Sequence, residues 1–280
     1  MGEDKADQSF LARIGTHTHE VPMPRPSNAK VTRKQLAGLC EEAAGEGVEL
    51  SKHLAASKPL HDLFLGLCDH APYLVRLMRK DWARLVRLLH QDPAVSMTQL
   101  RVQTRNAWQV AGSSEAAMMA ALRRAKQEVA LLVALADLGG VWGVDEVTAA
   151  LSDFADAACA SALDFLLTDA SEASRFIPVD PQQPSQASGL VVLALGKHGA
   201  RELNYSSDID VIVLYDPEIA PLGPRAEPAS FFVRLTQGLV RLMQERTGEG
   251  YVLRTDLRLR PDPASTPVAI SVNSAFAYYE

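Results

Sequence analysis

The spacing of apolar residues divides the chain into two regions with different patterns. From about Thr32 to Ala170, apolar residues recur three and four positions apart, which is typical of amphipathic helices. Pro59, Pro72 and Asp81 stand where helices are expected to begin, because proline suits the first helical turn and aspartate suits the N-cap. This region is therefore predicted to be helical almost throughout.

A different pattern begins at Gly189. Continuous apolar runs at 190–195 and 209–215 predict two buried strands. An amphipathic helix is expected after the proline-rich residues 217–228, and alternation across 251–260 predicts a third strand. The predicted fold class is α+β, with a helical N-terminal region followed by a small domain that has a mixed, antiparallel-rich sheet.

Breaks in composition indicate the predicted domain boundaries. The first 30 residues lack sustained apolar periodicity and are predicted to form a flexible arm, in which His17 and His19 are more typical of a solvated tail than of a metal chelate. Ser, Pro and Gln are frequent between the helical region and the first predicted strand. The predicted order is an arm at 1–30, a helical region at 31–170, a linker at 171–188 and a sheet domain at 189–280.

Charge and cysteine content narrow the class of protein. With 28 Lys+Arg against 34 Asp+Glu, the net charge of −6 argues against a nucleic-acid backbone as the main partner. Cys40, Cys68 and Cys159 are odd in number and lack metal-pair spacing, so reduced thiols are expected. No apolar run reaches the roughly 18 residues of a membrane helix, and the N-terminus lacks a secretory h-region. We therefore expect a cytoplasmic protein with no nucleic-acid or membrane partner.

Two aspartates at the second predicted strand carry the first candidate chemistry. Asp208 and Asp210 are two residues apart, so alternation along a strand places both carboxylates on one face. At ~4 Å and an effective dielectric of roughly 20, their repulsion costs about 4 kcal/mol, which a bound cation would relieve. Acids at this spacing are also common at solvated strand edges, so the pair alone does not establish a metal site.

The third predicted strand adds a charged face. Alternation places its three leucines toward the core and puts four charged residues on the other face: Arg254, Asp256, Arg258 and Arg260. An amphipathic edge strand with internal ion pairs is one interpretation. The other is a third metal ligand, Asp256, beside guanidinium groups that hold phosphate oxygens bidentately.

The segment between the first two strands, residues 196–207, has the sequence Gly-Lys-His-Gly-Ala-Arg-Glu-Leu-Asn-Tyr-Ser-Ser. Its two glycines permit a tight turn whose N–H groups face a phosphate, and Lys197 adds positive charge. A P-loop ATPase is not expected, because the GxxxxGK[ST] order is absent. His198 is more typical of a loop residue than of a base, and Ser206 or Ser207 of a local cap or phosphate contact than of a nucleophile.

These motifs resemble those of a known family. Residues 195–210 are similar to the GKxGGRELNxSSDxD motif of glutamine synthetase adenylyltransferases, and residues 251–261 are similar to their second motif. The resemblance covers roughly residues 60–280 and is strongest from 190 onward. It implies a nucleotidyltransferase domain of the DNA polymerase beta superfamily, in which two Mg²⁺ ions are held by Asp208, Asp210 and Asp256.

The same resemblance implies a nucleotide site and a reaction. Gly196 and Lys197 fall at the turn of the motif, and Ser207, Arg258 and Arg260 complete the predicted nucleotide-binding set. The Arg-Glu-Leu-Asn sequence at residues 201–204 resembles the N-terminal half of the family enzyme, which removes AMP from an adenylylated tyrosine of glutamine synthetase. Orthophosphate would be the co-substrate, ADP or ATP the nucleotide, and a P-II signalling protein the regulator.

Several features depart from the family pattern. Ala194 and Ala200 stand where members often have glycine, and Lys197 replaces the serine of the wider superfamily. One copy of the motif pair is present, whereas the family enzyme has two such domains, and the last residues lie in a stretch that continues into further helices in the family. The chain is therefore expected to be a fragment or truncation of the N-terminal half, with a catalytic domain truncated at its C-terminus.

Two alternatives remain open at the level of sequence. The first is adenylyl transfer from ATP to glutamine synthetase, or nucleotidyl transfer to another acceptor such as a small molecule or an RNA end; the net charge of −6 weakens the RNA version. The second is a non-catalytic regulatory or docking module. The presence of all three aspartates argues against loss of the site.

Overall fold

The computed structural model describes residues 7–15 and 24–280, so His17 and His19 lie outside the described residues. The chain forms two compact units. The first comprises Met1–Gln99 and Gln127–Ala150, and the second comprises Leu100–Lys126 and Leu151–Glu280. No helix within the described ranges is long and apolar enough to cross a membrane.

The N-terminal region is helical, as predicted. Pro59 lies in the first turn of one helix, Pro72 begins the next, and Asp81 caps a third by accepting a hydrogen bond from the N–H of Arg84 at 2.8 Å. In chain order the helices are α1 (Phe10–Arg13), α2 (Ala29–Gly45), α3 (Leu50–Ala56), α4 (Lys58–His70), α5 (Pro72–Lys80), α6 (Trp82–His90), α7 (Pro93–Arg105), α8 (Ala107–Ala111), α9 (Glu115–Leu138) and α10 (Val144–Glu172).

Part of the predicted arm is packed within the first unit. Helix α1 lies inside residues 1–30, and Phe10 is only 1% exposed. Gly139 allows this packing, because a Cβ atom there would lie 2.9 Å from the Phe10 ring. The prediction of a flexible arm therefore does not hold for α1, which is too short to produce a periodic pattern in the sequence.

The second unit contains the sheet. Its elements are β1 (Leu190–Leu195), α11 (Gly196–Gly199), β2 (Ile209–Tyr215), α12 (Pro228–Gln244), β3 (Thr255–Asp256), β4 (Ala269–Ser271) and α13 (Val272–Tyr279). Strand β2 is central: it pairs antiparallel with β1 and parallel with both β3 and β4. On α12, the ring of Phe232 stacks on Tyr215 with centroids 4.7 Å apart. The predicted α+β class with a small mixed sheet is confirmed.

The predicted third strand is wrong over most of its length. Only Thr255–Asp256 pairs with β2. The N–H groups of Val252 and Leu253 donate instead to the carbonyl of Met243, near the end of α12, at 2.9 and 3.1 Å. Both side chains are consequently buried, which breaks the expected alternation, and Leu259 is 51% exposed instead of lying in the core. Val252 and Leu253 are therefore held by the preceding helix, and pairing with the sheet begins only at Thr255.

The predicted linker at 171–188 lies within the second unit and contacts it at several points. Phe176 is 1% exposed, and the N–H of Ile177 donates to the carbonyl of Pro221 at 2.8 Å. The N–H of Ser185 donates to the buried carboxylate of Asp164 at 2.8 Å. The division between the units therefore falls within α7, α9 and α10 and not at this segment.

Candidate active site

The pairing of β2 with β3 brings two of the predicted aspartates together. Asp210 and Asp256 are direct partners in the parallel pairing of β2 with β3, so their side chains leave the sheet on the same face. Gly196, at the end of β1, has a φ of +54°, and a Cβ atom there would lie 2.6 Å from Oδ2 of Asp210. Glycine is required at this turn both for the backbone conformation and for the close approach of the Asp210 carboxylate.

Asp208 is held by an arginine from the segment before β3. Nε of Arg254 donates to Oδ1 of Asp208 at 2.5 Å, and its Nη2 donates to the carbonyl of Ser206 at 2.9 Å. The hydrogen bond to Asp208, followed by the charge of this carboxylate, raises the pKa of Arg254. The N–H of Ile209 also donates to the carbonyl of Arg254 at 2.9 Å. Arg254 thus fixes the loop that carries Asp208 to the start of β3.

Asp256 is engaged by Arg258. Nε of Arg258 lies 3.0 and 2.9 Å from the two carboxylate oxygens, and the backbone N–H of Arg258 donates to Oδ1 at 2.8 Å. These side-chain and backbone hydrogen bonds lower the pKa of Asp256. After the contribution of Asp256, the charges of Asp208 and Asp210 also raise the pKa of Arg258. All three carboxylates therefore act on one guanidinium, whose side chain is 81% exposed.

The predicted metal site is not assembled in this arrangement. Within residues 7–15 and 24–280, no group of three or more His, Cys, Asp or Glu side chains is placed to hold a metal ion. Carboxylate oxygens are donors that Mg²⁺ prefers, but Asp208 and Asp256 are occupied by guanidinium groups. The donor chemistry suits magnesium and the side-chain arrangement does not, so the three metal ligands stay a prediction.

The other predicted nucleotide-binding residues differ in their environments. Lys197 is exposed on α11. Oγ of Ser207 donates to Oδ1 of Asn204 at 2.6 Å, which is the local cap that the sequence favoured. Arg260 donates to carbonyl oxygens of its own loop, those of Leu257, Pro263 and Thr266. Its guanidinium therefore braces this loop, whereas Lys197, Arg254 and Arg258 are exposed.

Helix α10 contributes contacts to the site that the sequence did not indicate. His198 is 4% exposed, and its Nε2 donates to Oδ1 of Asp156 at 2.8 Å. Arg201 donates to Asp153 at 2.6 Å, and the N–H of Leu203 donates to Oγ of Ser152 at 3.3 Å. These partners are 42, 48 and 51 residues apart, so no local pattern could reveal them.

A buried arginine on α9 supports the segment that leads into β3. Arg123 is fully buried. Its guanidinium donates to the carbonyls of Gly250 at 2.8 Å and Leu242 at 3.2 Å, and also to that of Glu245. These oxygens lie at the C-terminal end of α12 and in the turn after it. A helical arginine is usually a surface residue, so this role was also missed.

The assembled elements define a class of protein. An antiparallel strand pair is joined by a glycine turn, with Asp208 directly before the second strand, Asp210 on it and Asp256 on an adjacent parallel strand. This order of elements matches the one that the sequence resemblance implies for a nucleotidyltransferase domain. The family model for glutamate-ammonia ligase adenylyltransferase matches residues 62–280. The chain belongs to this family.

Individual relatives agree with this assignment. Each is a bifunctional glutamine synthetase adenylyltransferase/adenylyl-removing enzyme: that of Xanthobacter autotrophicus is 54% identical, that of Bradyrhizobium diazoefficiens 50% and that of Rhodopseudomonas palustris 46%, each over 278 residues. The matches cover 99% of this chain and 27% of each relative. The chain thus spans about a quarter of the length of these relatives.

Proposed function

We propose that this chain removes AMP from an adenylylated tyrosine of glutamine synthetase by phosphorolysis. An oxygen of orthophosphate attacks the phosphorus of the adenylyl group, the bond from phosphorus to the tyrosine oxygen breaks, and ADP leaves. The tyrosine oxygen takes up a proton and becomes a hydroxyl again. Family membership supports adenylyl chemistry on glutamine synthetase, and the direction rests on the resemblance of residues 201–210 to the N-terminal half of the family.

The observation that carries this proposal is the pairing of Asp210 with Asp256 against the Gly196 turn. A displacement at phosphorus needs its reacting oxygens held in line and their negative charge offset. Lys197 and Arg258 are exposed at this position and supply positive charge for phosphate oxygens. Positioning and charge, and not a side-chain nucleophile, therefore account for the proposed reaction.

Magnesium dependence and regulation by a P-II signalling protein are further parts of the proposal, implied by the resemblance. A cytoplasmic location is also proposed, because the spacing of the three cysteines favours reduced thiols. Two Mg²⁺ ions would supply charge stabilisation at phosphorus. Arg254 and Arg258 occupy the carboxylates of Asp208 and Asp256, so these guanidiniums must move aside for a cation to bind there. Cation affinity should therefore depend on the arginines as well as on the aspartates.

The test is an assay of both reaction directions with matched variants. Adenylylated glutamine synthetase with phosphate should yield ADP, and Asp210→Asn should abolish this. Asp216→Asn, which makes the same change just beyond the other end of β2, should leave the activity unchanged. AMP transfer from ATP to unmodified glutamine synthetase, without phosphate-dependent ADP release, would establish the transferase alternative instead. Binding of glutamine synthetase without either reaction would indicate a docking module.

A further inference from the structure

Helix α10 forms hydrogen bonds to three residues of the segment 198–203, which belongs to the first motif. Ser152 and Asp156 are four residues apart and so lie on one face of the helix, with Asp153 beside them. Their partners are Leu203, His198 and Arg201, respectively. The helix therefore determines where residues 198–203 lie, although none of its side chains belongs to the predicted site.

The contact of Asp156 with His198 joins an accessible carboxylate to a buried ring. The side chain of His198 is 3% exposed and that of Asp156 is 59% exposed. Nδ1 of His198 is buried without a hydrogen-bond partner in the part of the chain that the structure describes. Asp156 consequently supplies the hydrogen bond that keeps the imidazole inside, and without it the ring would gain by turning toward water.

Movement of His198 would be transmitted to Asp210. His198 and Gly196 belong to the single turn of α11, which is tightly packed at both glycines. A Cβ atom at Gly196 would lie 2.6 Å from the Asp210 carboxylate, and one at Gly199 would lie 2.4 Å from the carbonyl oxygen of Ala194. Because these contacts leave no free space around the two glycines, a small displacement of α11 changes the position of the turn relative to Asp210.

Arg201 adds a second constraint on the same segment. Its φ is +61°, in the left-handed region that residues with a Cβ atom rarely adopt. The ion pair with Asp153 at 2.6 Å holds the segment in this conformation, and Arg101 approaches the other oxygen of Asp153 at 3.9 Å. A strained backbone of this kind persists when surrounding contacts fix it.

We propose that Asp156 is a positioning residue for adenylyl removal: through His198 it sets the place of the Gly196–Lys197 turn against Asp210. This inference rests on the proposed function, because it assigns the turn a part in that reaction. Asp156 itself does not touch the reacting groups. Its effect should therefore appear in turnover rather than in recognition of glutamine synthetase.

The experiment compares three variants of the chain: Asp156→Ala, Asp156→Asn and Asp169→Ala. The last is the matched control, since Asp169 is on the same helix and pairs at 3.4 Å with Arg175, away from the turn. Asp156→Ala should lower kcat about tenfold, as expected for a small misplacement of reacting groups, with KM for adenylylated glutamine synthetase unchanged. Asp156→Asn should recover most of the loss, because its amide oxygen still accepts from Nε2. Asp169→Ala should behave as the unaltered chain.

Two further measurements separate positioning from general destabilisation and from failure of the proposed function. Hydrogen exchange should become faster at residues 196–203 in Asp156→Ala and stay unchanged across β4 and α13. ADP affinity should fall in Asp156→Ala and return in Asp156→Asn, even if no turnover is found. The proposal is overturned if kcat and ADP affinity are unaltered in Asp156→Ala, if Asp156→Asn gives no recovery, or if Asp169→Ala has the same effect.

Discussion

Replacing Arg123 by methionine tests how the segment leading into β3 is held. The guanidinium of Arg123 donates to the carbonyls of Leu242, Glu245 and Gly250. Methionine keeps much of the aliphatic volume and provides no donor. The substitution therefore removes the hydrogen bonds with a limited change in packing.

The magnitude follows mainly from the carbonyl of Leu242, which is buried and loses its side-chain donor. The carbonyl of Gly250 still accepts from the N–H of Thr247 at 3.0 Å, and that of Glu245 belongs to an exposed residue. Each buried acceptor left without a partner costs about 1–3 kcal/mol. Removing a buried cation also removes its desolvation cost, which offsets part of this loss. We expect Arg123→Met to lower the free energy of unfolding by about 2 kcal/mol. Arg123→Lys should cost about 1 kcal/mol, because an ammonium cannot span carbonyls as the planar guanidinium does.

Chemical denaturation and hydrogen exchange of Arg123→Met measure the global and local parts of this effect. Exchange should accelerate at residues 242–256 and remain unchanged in α2, which belongs to the other compact unit. Arg124→Met is the matched control, since Arg124 is the adjacent arginine and is exposed. If Arg123→Met and Arg124→Met have the same stability and exchange, the bonds of Arg123 do not hold this segment.

Three further predictions concern the site itself. In thermal unfolding, Gly196→Ala should destabilise the chain by about 1–2 kcal/mol through backbone strain, and further through the contact of the new Cβ atom with Asp210. Gly47→Ala is the control, because Gly47 has a φ of +78° and an added Cβ atom would have no neighbour within 4 Å. It should show the effect of backbone strain alone. In a carboxyl NMR titration the pKa of Asp256 should lie below 3.8, so the stabilisation by Arg258 is present above pH 3.8 and is lost as the pH falls through the lowered pKa. Arg258→Gln should raise the pKa of Asp256. An unchanged pKa would show that Arg258 does not lower it. In calorimetry, Arg258→Gln should also bind Mg²⁺ more tightly than the unaltered chain, and equal affinities would show that this guanidinium does not compete with the cation.

Local signals in the sequence predicted much of the fold. Pro72 and Asp81 determine helix starts through φ and through a side-chain acceptor two or three residues away. The apolar runs of β1 and β2 have the predicted bounds, but only β2 is buried as predicted. Strand β1 lies at the edge of the sheet, where Val191 and Leu193 are each 44% exposed, so the prediction of burial is wrong for this strand. In each case the cause acts within a few residues, and a single sequence contains it.

The features that were missed depend on contacts between distant residues. The alternation before Asp256 predicted a strand, but Val252 and Leu253 donate to Met243, and no pattern in the segment itself indicates this acceptor. Of the four residues predicted to share a charged face, Asp256 and Arg258 contact each other, whereas Arg254 pairs with Asp208 and Arg260 donates to carbonyls of its own loop. The predicted face did not indicate that Arg254 and Arg258 pair with the same carboxylates that were predicted to bind metal. The sequence thus identified the candidate groups, and the structure determined which of them are engaged.

The most direct test of the proposed function follows the phosphorus atom of orthophosphate. Radiolabelled phosphate is incubated with adenylylated glutamine synthetase and the chain, and the nucleotide product is isolated and degraded to locate the label. Phosphorolysis predicts ADP labelled only in its β-phosphoryl group, one for each tyrosine hydroxyl regenerated, and no product with Asp210→Asn. Release of unlabelled AMP, or deadenylylation that does not need phosphate, would contradict the account.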